Sequence, residues 1–194
     1  MMRALYSLVM ILAQPLLRRK LARRGRTEPG YLEAVEERFG HYGDGAAAAH
    51  GAAAAARGPV PAQADAHALV PGGQPEGYVW VHAVSLGEAR AAAILIERLR
   101  ERLPGMRLLL THGTATGRAE GARLLRPGDA QVWLPWDTRA AVGRFLTHFR
   151  PRIGILMETE IWPNLIHACA EAKIPLTLVN ARLSDKSLRQ ALRL

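Results

Sequence analysis

Cysteine is nearly absent from this chain of 194 residues, in which Cys169 is the only one. A single cysteine cannot form an intrachain disulfide, so we predict a reducing compartment and expect Cys169 to be a small buried hydrophobe. No group of His and Cys has the spacing of zinc ligands. The composition, with 49% hydrophobic and 22% charged residues, excludes a fibrous or wholly disordered protein and suits one α/β domain with additional segments.

Acidic residues are missing from the first 27 positions. The same stretch is rich in cations, namely Arg3, Arg18, Arg19, Lys20, Arg23, Arg24 and Arg26. A net charge of +9 also suits nucleic acid, but a nucleic-acid surface is expected to interleave basic and aromatic residues on the folded domain. Here most of the cations directly follow an apolar run. That arrangement favours an anionic membrane surface and no nucleic-acid partner.

A long hydrophobic run is lacking as well. The apolar segment 4–17 is shorter than the ~20 residues that span a bilayer, and Gln14 and Pro15 interrupt it. Its apolar residues recur at helical spacing, and the arginines that follow could reach lipid phosphates. We therefore predict that residues 1–27 form a monotopic membrane anchor. Packing of this helix on the protein's own core is the alternative. The helical stripe consists of Leu5, Leu8, Val9, Leu12 and Leu16.

Branched and aromatic side chains are scarce between residues 43 and 77, where Ala, Gly and Pro dominate. Such a segment has little to bury, so 43–77 is predicted to be a low-complexity linker. The preceding segment 28–42 predicts a short polar connecting helix with Gly40 at its C-terminal cap.

Short apolar runs alternate with amphipathic segments from Tyr78 onward, which is typical of an α/β fold. Most of the runs are too continuously apolar for a sheet with one solvated face, so they predict a parallel sheet covered on both sides. Residues 78–194 are therefore expected to form a Rossmann-like domain. The predicted strands are 78–84, 107–111, 131–134, 153–157 and 175–179. The predicted helical stripes are Ala92, Leu95, Ile96, Leu99 and Leu103, and Val142, Phe145, Leu146 and Phe149.

Polar residues follow each predicted strand, and the carboxyl ends of parallel strands share one crevice. The segment 83–88 has neither the glycines of a dinucleotide-binding turn nor the first glycine of a nucleophile elbow. Trp162 and Pro163 are expected to pack and to begin a helix, and His82 and His112 to be hydrogen-bonded structural residues. The crevice candidates are Ser85, Gly87, Glu88, Thr114, Thr116, Gly117, Arg118, Glu158, Glu160, Asn164 and Arg182.

Five segments carry a family resemblance, in the order 80–88, 114–117, 134–137, 157–164 and 180–184. They resemble the signatures of the 3-deoxy-D-manno-octulosonic acid (Kdo) transferases of lipopolysaccharide synthesis, which have a two-domain GT-B fold. Ala115 departs from the family pattern, where proline is usual, and so does Arg118, where a small polar residue is usual. The sequence stops soon after the fifth predicted strand, so the family's C-terminal domain, which binds CMP-Kdo, is expected to be absent.

The resemblance implies an inverting, metal-independent transfer of Kdo from CMP-Kdo to a lipid A precursor, without a cofactor. Glu88 would be the general base, and it is placed to open a helix beside a glycine that leaves room for substrate. An ordinary helix-N-terminal acid is the alternative. Glu158 would help form the active site, while Glu160 could equally cap a helix. The other crevice candidates, Asn164 among them, would bind the acceptor. Arg118 and Arg182 could meet its phosphates or be merely solvated.

The sequence thus predicts the acceptor-binding half of a Kdo transferase at the cytoplasmic face of the inner membrane. Alone, this chain is expected to be inactive, because it lacks the donor domain. Two other functions stay open. One is a non-catalytic peripheral membrane module that binds phosphorylated glycolipid, and the other is nucleic-acid binding through the basic residues.

Overall fold

A computed structural model of the protein describes residues 2–43, 77–158 and 161–181. The predicted linker lies outside these residues except for its two ends. The described part is an α/β fold with five parallel strands in the order β3-β2-β1-β4-β5, as predicted. The strands are β1 (Tyr78–His82), β2 (Arg107–His112), β3 (Ala130–Trp133), β4 (Pro151–Met157) and β5 (Leu176–Val179). The helices are α1 (Met2–Gly25), α2 (Leu86–Arg102), α3 (Ala115–Ala122), α4 (Arg139–Phe149) and α5 (Pro163–Glu171).

Helices cover both faces of the sheet because alternate strand residues point to opposite sides. Val81 and its neighbours on one face pack against α2, while Trp80 and its neighbours on the other pack against α4 and α5. The Trp80 ring meets Phe145 edge-on, with 5.1 Å between the centroids. A Cβ on Gly154 would come within 2.7 Å of that indole. The continuous apolar runs therefore reflect burial on two faces, as expected.

The predicted helical stripes face the core with one exception. Val142, Phe145, Leu146 and Phe149 are all buried on α4. On α2 the buried positions include Ala92 and Ile96, but Leu103 lies one residue beyond the end of the helix and is 41% exposed. The predicted stripe was one residue too long, because α2 ends at Arg102 and Leu103 does not continue its buried side.

The connecting segment differs from the predicted single polar helix. It forms two 3₁₀ helices, Pro29–Leu32 and Val35–Phe39, which end at Gly40. Gly40 is the predicted cap, with a φ of 77°. A side chain there would also come within 2.7 Å of the Ala141 carbonyl oxygen. Glu37 and Arg38, which the prediction left on a polar helix, are buried because they pair with groups of the α/β domain.

Helix α1 lies against the first 3₁₀ helix and against α5. Ser7, Leu21 and Gly25 form its buried side. The predicted apolar stripe lies on the other side, and its five residues are between 52% and 68% exposed. Helix α1 thus contacts its own protein through one side, as the alternative expected, while the apolar stripe does not pack on the core. In the described part of the chain, no helix has both the length and the apolarity required to cross a bilayer.

Candidate active site

The strand order creates a crevice at the carboxyl ends of β1 and β4. The chain runs from β1 to β2 on one side and later returns through β4 on the other side, so the topology switches direction between these two strands. His82, the last residue of β1, pairs with Leu156 of β4. Glu88 follows β1 and Glu158 follows β4 directly. Both predicted catalytic glutamates thus flank the switch point, Glu88 in the first turn of the helix after β1 and Glu158 in the loop after β4.

Glu88 lies in the first turn of α2 and is held by its neighbours. Its Oε2 accepts a hydrogen bond from the Val84 amide at 2.8 Å, and its Oε1 accepts one from the Ser85 hydroxyl at 2.9 Å. Ser85 Oγ in turn accepts from the Glu88 amide at 3.3 Å. This is a capping box, shifted by one residue on the carboxylate side. The Val84 amide, two residues after the end of β1, thus bonds to Glu88 rather than to a neighbouring strand.

Gly87 leaves an open approach beside that carboxylate. A Cβ built on Gly87 has only one neighbour within 4 Å, the Ser85 Oγ at 4.0 Å. Gly87 has no close-packed neighbour in the described structure, although glycine weakens a helix. The space beside Ser85 and Glu88 is therefore accessible to a ligand.

Glu158 has an unusual backbone conformation. It is half-buried, its φ is 59°, and its amide donates to the Val179 carbonyl at 2.9 Å. A glutamate in the left-handed region is strained, and such strain is concentrated at functional sites. The conformation therefore adds a physical reason to consider Glu158 a functional residue.

The loop after β2 is tied to the loop after β1. The Thr114 hydroxyl donates to the Val84 carbonyl at 2.8 Å and accepts from the Gly117 amide at 3.1 Å, so Thr114 caps α3. A Cβ on Gly117 would come within 2.7 Å of the Val84 carbonyl oxygen. Gly117 thus permits close packing of the two loops. Thr116 is exposed at the same edge.

Arg118 does not reach the crevice, contrary to the prediction that it could contact acceptor phosphate. Its side chain is buried, and Nη1 donates to Glu37 Oε2 at 2.9 Å. The guanidinium of Arg118 lies 4.8 Å from the centre of the Trp133 ring, and that of Arg38 lies 3.8 Å from it. Burial lowers the pKa of Arg38 to about 10. Arg118 is therefore not an acceptor contact, because its guanidinium pairs with Glu37 and so joins α3 to the connecting segment.

Asn164 is likewise occupied inside the protein. Its amide N–H donates to Asp137 Oδ2 at 3.0 Å, its side-chain Nδ2 donates to the Asp137 carbonyl at 2.7 Å, and its Oδ1 accepts from the Ser7 hydroxyl at 2.9 Å. The Leu165 amide donates to Asp137 Oδ1 at 2.8 Å. Asn164 is therefore a structural residue rather than the predicted acceptor contact.

Asp137 is the residue whose importance the sequence did not reveal. It caps α5 from a different loop, and Trp162, the N-cap residue of α5, makes no side-chain capping bond of its own. Burial is the main cause that raises the pKa of Asp137. Burial, followed by the charge of Asp137, also raises the pKa of Tyr6 in α1. The only available signal was that Asp137 and Asn164 lie in two of the recognised segments.

Both histidines of the edge are structural, as expected. His82 Nδ1 lies 2.9 Å from Thr111 Oγ1, and His112 Nδ1 lies 2.7 Å from the Ala83 carbonyl oxygen. Burial lowers the pKa of His82 to about 4 and that of His112 to about 3. Glu160 and Arg182 lie outside the described residues. Within those residues, no group of three or more His, Cys, Asp or Glu could hold a metal ion.

Fold and site together define a Rossmann-like parallel α/β domain with a ligand crevice at its switch point. A sequence profile of the family described as 3-deoxy-D-manno-octulosonic-acid transferase (kdotransferase) matches residues 33–194. The chain belongs to this family. It is 43% identical over 195 residues to a Bordetella pertussis protein named 3-deoxy-D-manno-octulosonic acid transferase, with 97% of the chain covered.

Two further relatives have related names. A Haemophilus influenzae protein named 3-deoxy-D-manno-octulosonic acid transferase is 30% identical over 187 residues, which is 96% of the chain. An Arabidopsis thaliana protein named probable mitochondrial 3-deoxy-D-manno-octulosonic acid transferase is 40% identical over 116 residues, which is 60% of the chain. The matches cover 39% of the Bordetella protein, 38% of the Haemophilus protein and 26% of the Arabidopsis protein.

Proposed function

We propose that this chain is the acceptor-binding part of an enzyme that transfers Kdo from CMP-Kdo to a lipid A precursor in lipopolysaccharide synthesis. Family membership supports the reaction class. The observation that carries the assignment of the site is the position of Glu88 and Glu158 beside the β1/β4 switch point. Open α/β sheets bind ligands at that place.

In the proposed reaction, an acceptor hydroxyl oxygen attacks the anomeric carbon of Kdo. The bond between that carbon and the phosphate oxygen of CMP breaks, and CMP leaves with the electron pair. The hydroxyl proton passes to Glu88, whose carboxylate is oriented by Val84 and Ser85. Attack on the face opposite CMP inverts the anomeric configuration. No cofactor or metal takes part in this scheme.

The proposed acceptor contacts are the residues that border open space at the edge of the sheet. Ser85, Gly87 and Thr116 border the open space at the edge, and Glu158 supplies a second carboxylate to hold the acceptor sugar. Thr114 and Gly117 shape the pocket by fixing the two loops to each other. Glu160 and Arg182 stay in the proposed contact set on the resemblance alone.

The exposed stripe of α1 supports a position on the membrane. An apolar helix face followed by a basic segment suits the interface of the inner membrane, whose cytoplasmic leaflet carries anionic lipid. The same helix is joined to the α/β domain at Asn164 and near Asp137, next to the carboxyl edge of the sheet. A docked α1 would therefore bring the crevice close to the lipid acceptor. The donor would be bound mainly by a region beyond these 194 residues.

Replacement of Glu88 by Gln distinguishes its proposed role as general base from its role in capping α2. Gln is tolerated at this position of a capping box but cannot take the hydroxyl proton. In a chain extended by the region present in the longer relatives, Glu88→Gln should reduce Kdo transfer at least ~10²-fold. The variant's free energy of unfolding should stay within ~0.5 kcal/mol of the native value.

Glu88→Ala is the matched control, since it removes both base and cap. It should lose transfer equally and also lower the free energy of unfolding by ~1 kcal/mol. Normal turnover by the Gln variant would remove Glu88 from the mechanism. If the extended chain binds phosphorylated glycolipid but transfers nothing, the non-catalytic membrane module becomes the better assignment.

A further inference from the structure

A cavity lies between α1, α4 and α5. Its volume is about 250 Å³, and its lining includes Arg3, Arg139, Gly143, His167 and Glu171. Arg3 belongs to the first turn of α1 and Arg139 is the first residue of α4. The lining also includes Asn164 at the start of α5, which is held by Asp137 and Ser7. The two arginines lie outside the segments that carry Glu88 and Glu158.

The two arginines bring positive charge to this cavity from two different helices. Within the described residues neither side chain makes a hydrogen bond or an ion pair, whereas buried Arg118 pairs with Glu37. The carboxylate found among the described lining residues, Glu171, has its Oε1 3.1 Å from His167 Nε2. Both guanidinium groups thus keep their planar donors available, and this geometry suits the oxygens of a phosphate group.

Gly143 keeps the cavity open. It lies inside α4, where glycine weakens a helix relative to alanine. No heavy atom lies within 4 Å of the Cβ that another residue would place there. Close packing therefore does not explain this glycine. A larger side chain at position 143 would enter the space between the arginines and α5.

We propose that this cavity binds a phosphate group. Arg3 lies on the side of α1 that carries Ser7 and faces α5, whereas the exposed apolar stripe lies on the other side. The two sources of the phosphate are a lipid phosphomonoester headgroup and free phosphate, and binding measurements distinguish them. This site does not depend on Kdo transfer by the chain.

The test compares inorganic phosphate with a lipid phosphomonoester. Phosphate is titrated into the 194-residue chain by calorimetry, and binding is measured to phosphatidylcholine vesicles that contain phosphatidic acid. The double variant Arg3→Gln/Arg139→Gln should weaken binding at least ~10-fold. Gly143→Leu should weaken it similarly by filling the space. Glu171→Gln should strengthen it severalfold, since it removes the carboxylate found among the described lining residues.

The control is Arg98→Gln/Arg102→Gln, which removes the same charge from exposed positions of α2. Binding should be unchanged in this control. If Gly143→Leu fails to fold, Gly143→Ala replaces it, and this variant should melt at a higher temperature than the native chain while binding more weakly. Losses of both phosphate and vesicle binding in the Arg3/Arg139 variant, with none in the control, support a general phosphate site. A loss confined to vesicle binding supports the lipid source. Binding of neither ligand, or equal losses in the Arg3/Arg139 variant and the control, would overturn the proposal.

Discussion

Glu158 adopts its backbone conformation at a cost, since a non-glycine residue with a φ of 59° is strained by ~1 kcal/mol or more. Glycine relieves that strain and alanine does not, yet both remove the carboxylate. We expect Glu158→Gly to have a free energy of unfolding at least ~1 kcal/mol above that of Glu158→Ala, with transfer reduced equally in both. Urea unfolding measures the first quantity. Equal stability of the two variants would contradict a strained backbone at this position.

His82 and His112 make the fold sensitive to acid. Their pKa values, about 4 and about 3 in the folded chain, lie below the ~6.5 of an unfolded histidine. Between these limits the unfolded chain binds more protons, so the free energy of unfolding falls as the pH drops below ~6.5. Each histidine should contribute up to ~1.4 kcal/mol per pH unit.

Urea unfolding at pH 7, 6 and 5 tests this dependence. His112→Gln should lower stability at pH 7 but reduce the slope by about one proton. His41→Gln, at an exposed position, serves as the control and should keep the native slope. A stability that does not change between pH 7 and pH 5 would show that the two histidines are not protected from protonation.

At the scale of elements, the basic residues of α1 fall into two groups, those that contact the connecting segment and those that do not. Arg18 bonds to Glu36 at 2.7 Å and lies 3.7 Å from the centre of the Phe39 ring, and Arg24 lies 4.9 Å from the centre of the Tyr31 ring. These two help to hold α1 on the connecting segment. The other basic side chains of this segment form no hydrogen bond or ion pair with a described residue; they are Arg19, Lys20, Arg23 and Arg26. Together with Arg24 they help to line a groove with a volume of about 790 Å³.

We therefore expect Arg19→Gln/Lys20→Gln/Arg23→Gln to weaken sedimentation with anionic vesicles, because each basic residue near such a surface contributes ~1 kcal/mol. High salt should weaken binding of the native chain in the same way. The matched control replaces Arg98, Arg102 and Arg152, which are exposed outside α1, by Gln. Unchanged sedimentation of the α1 variant would mean that this helix does not hold the protein on membranes.

The elements were largely predictable, whereas the inward-facing polar residues were not. A buried parallel strand is a continuous apolar run, so five strands were recognised with ends shifted by at most a few residues. Arg118 and Asn164 were misassigned because their burial depends on single partners, Glu37 and Asp137, that lie 81 and 27 positions away. No periodicity marks such a pairing. Glu88 lies at the start of α2, as expected, and the groups that hold it there, Val84 and Ser85, are its neighbours in the sequence.

For the molecule as a whole, we propose that this chain binds the acceptor and that the additional region of its longer relatives binds the donor. A base alone does not give transfer, since the hydroxyl and the anomeric carbon must be held in line at the same time. Under this proposal the chain would supply one of these constraints, through the crevice beside Glu88 and the exposed face of α1. Isolated from the donor region, it should bind one substrate and convert none.

Calorimetric titration of the 194-residue chain with each substrate, accompanied by a radiolabel assay for transferred Kdo, tests this division most directly. We predict binding of a phosphorylated glycolipid acceptor, no strong binding of CMP-Kdo and no transfer, with transfer restored when the donor region of a longer relative is added as a separate protein. Strong binding of CMP-Kdo or measurable turnover by the chain alone would contradict the account.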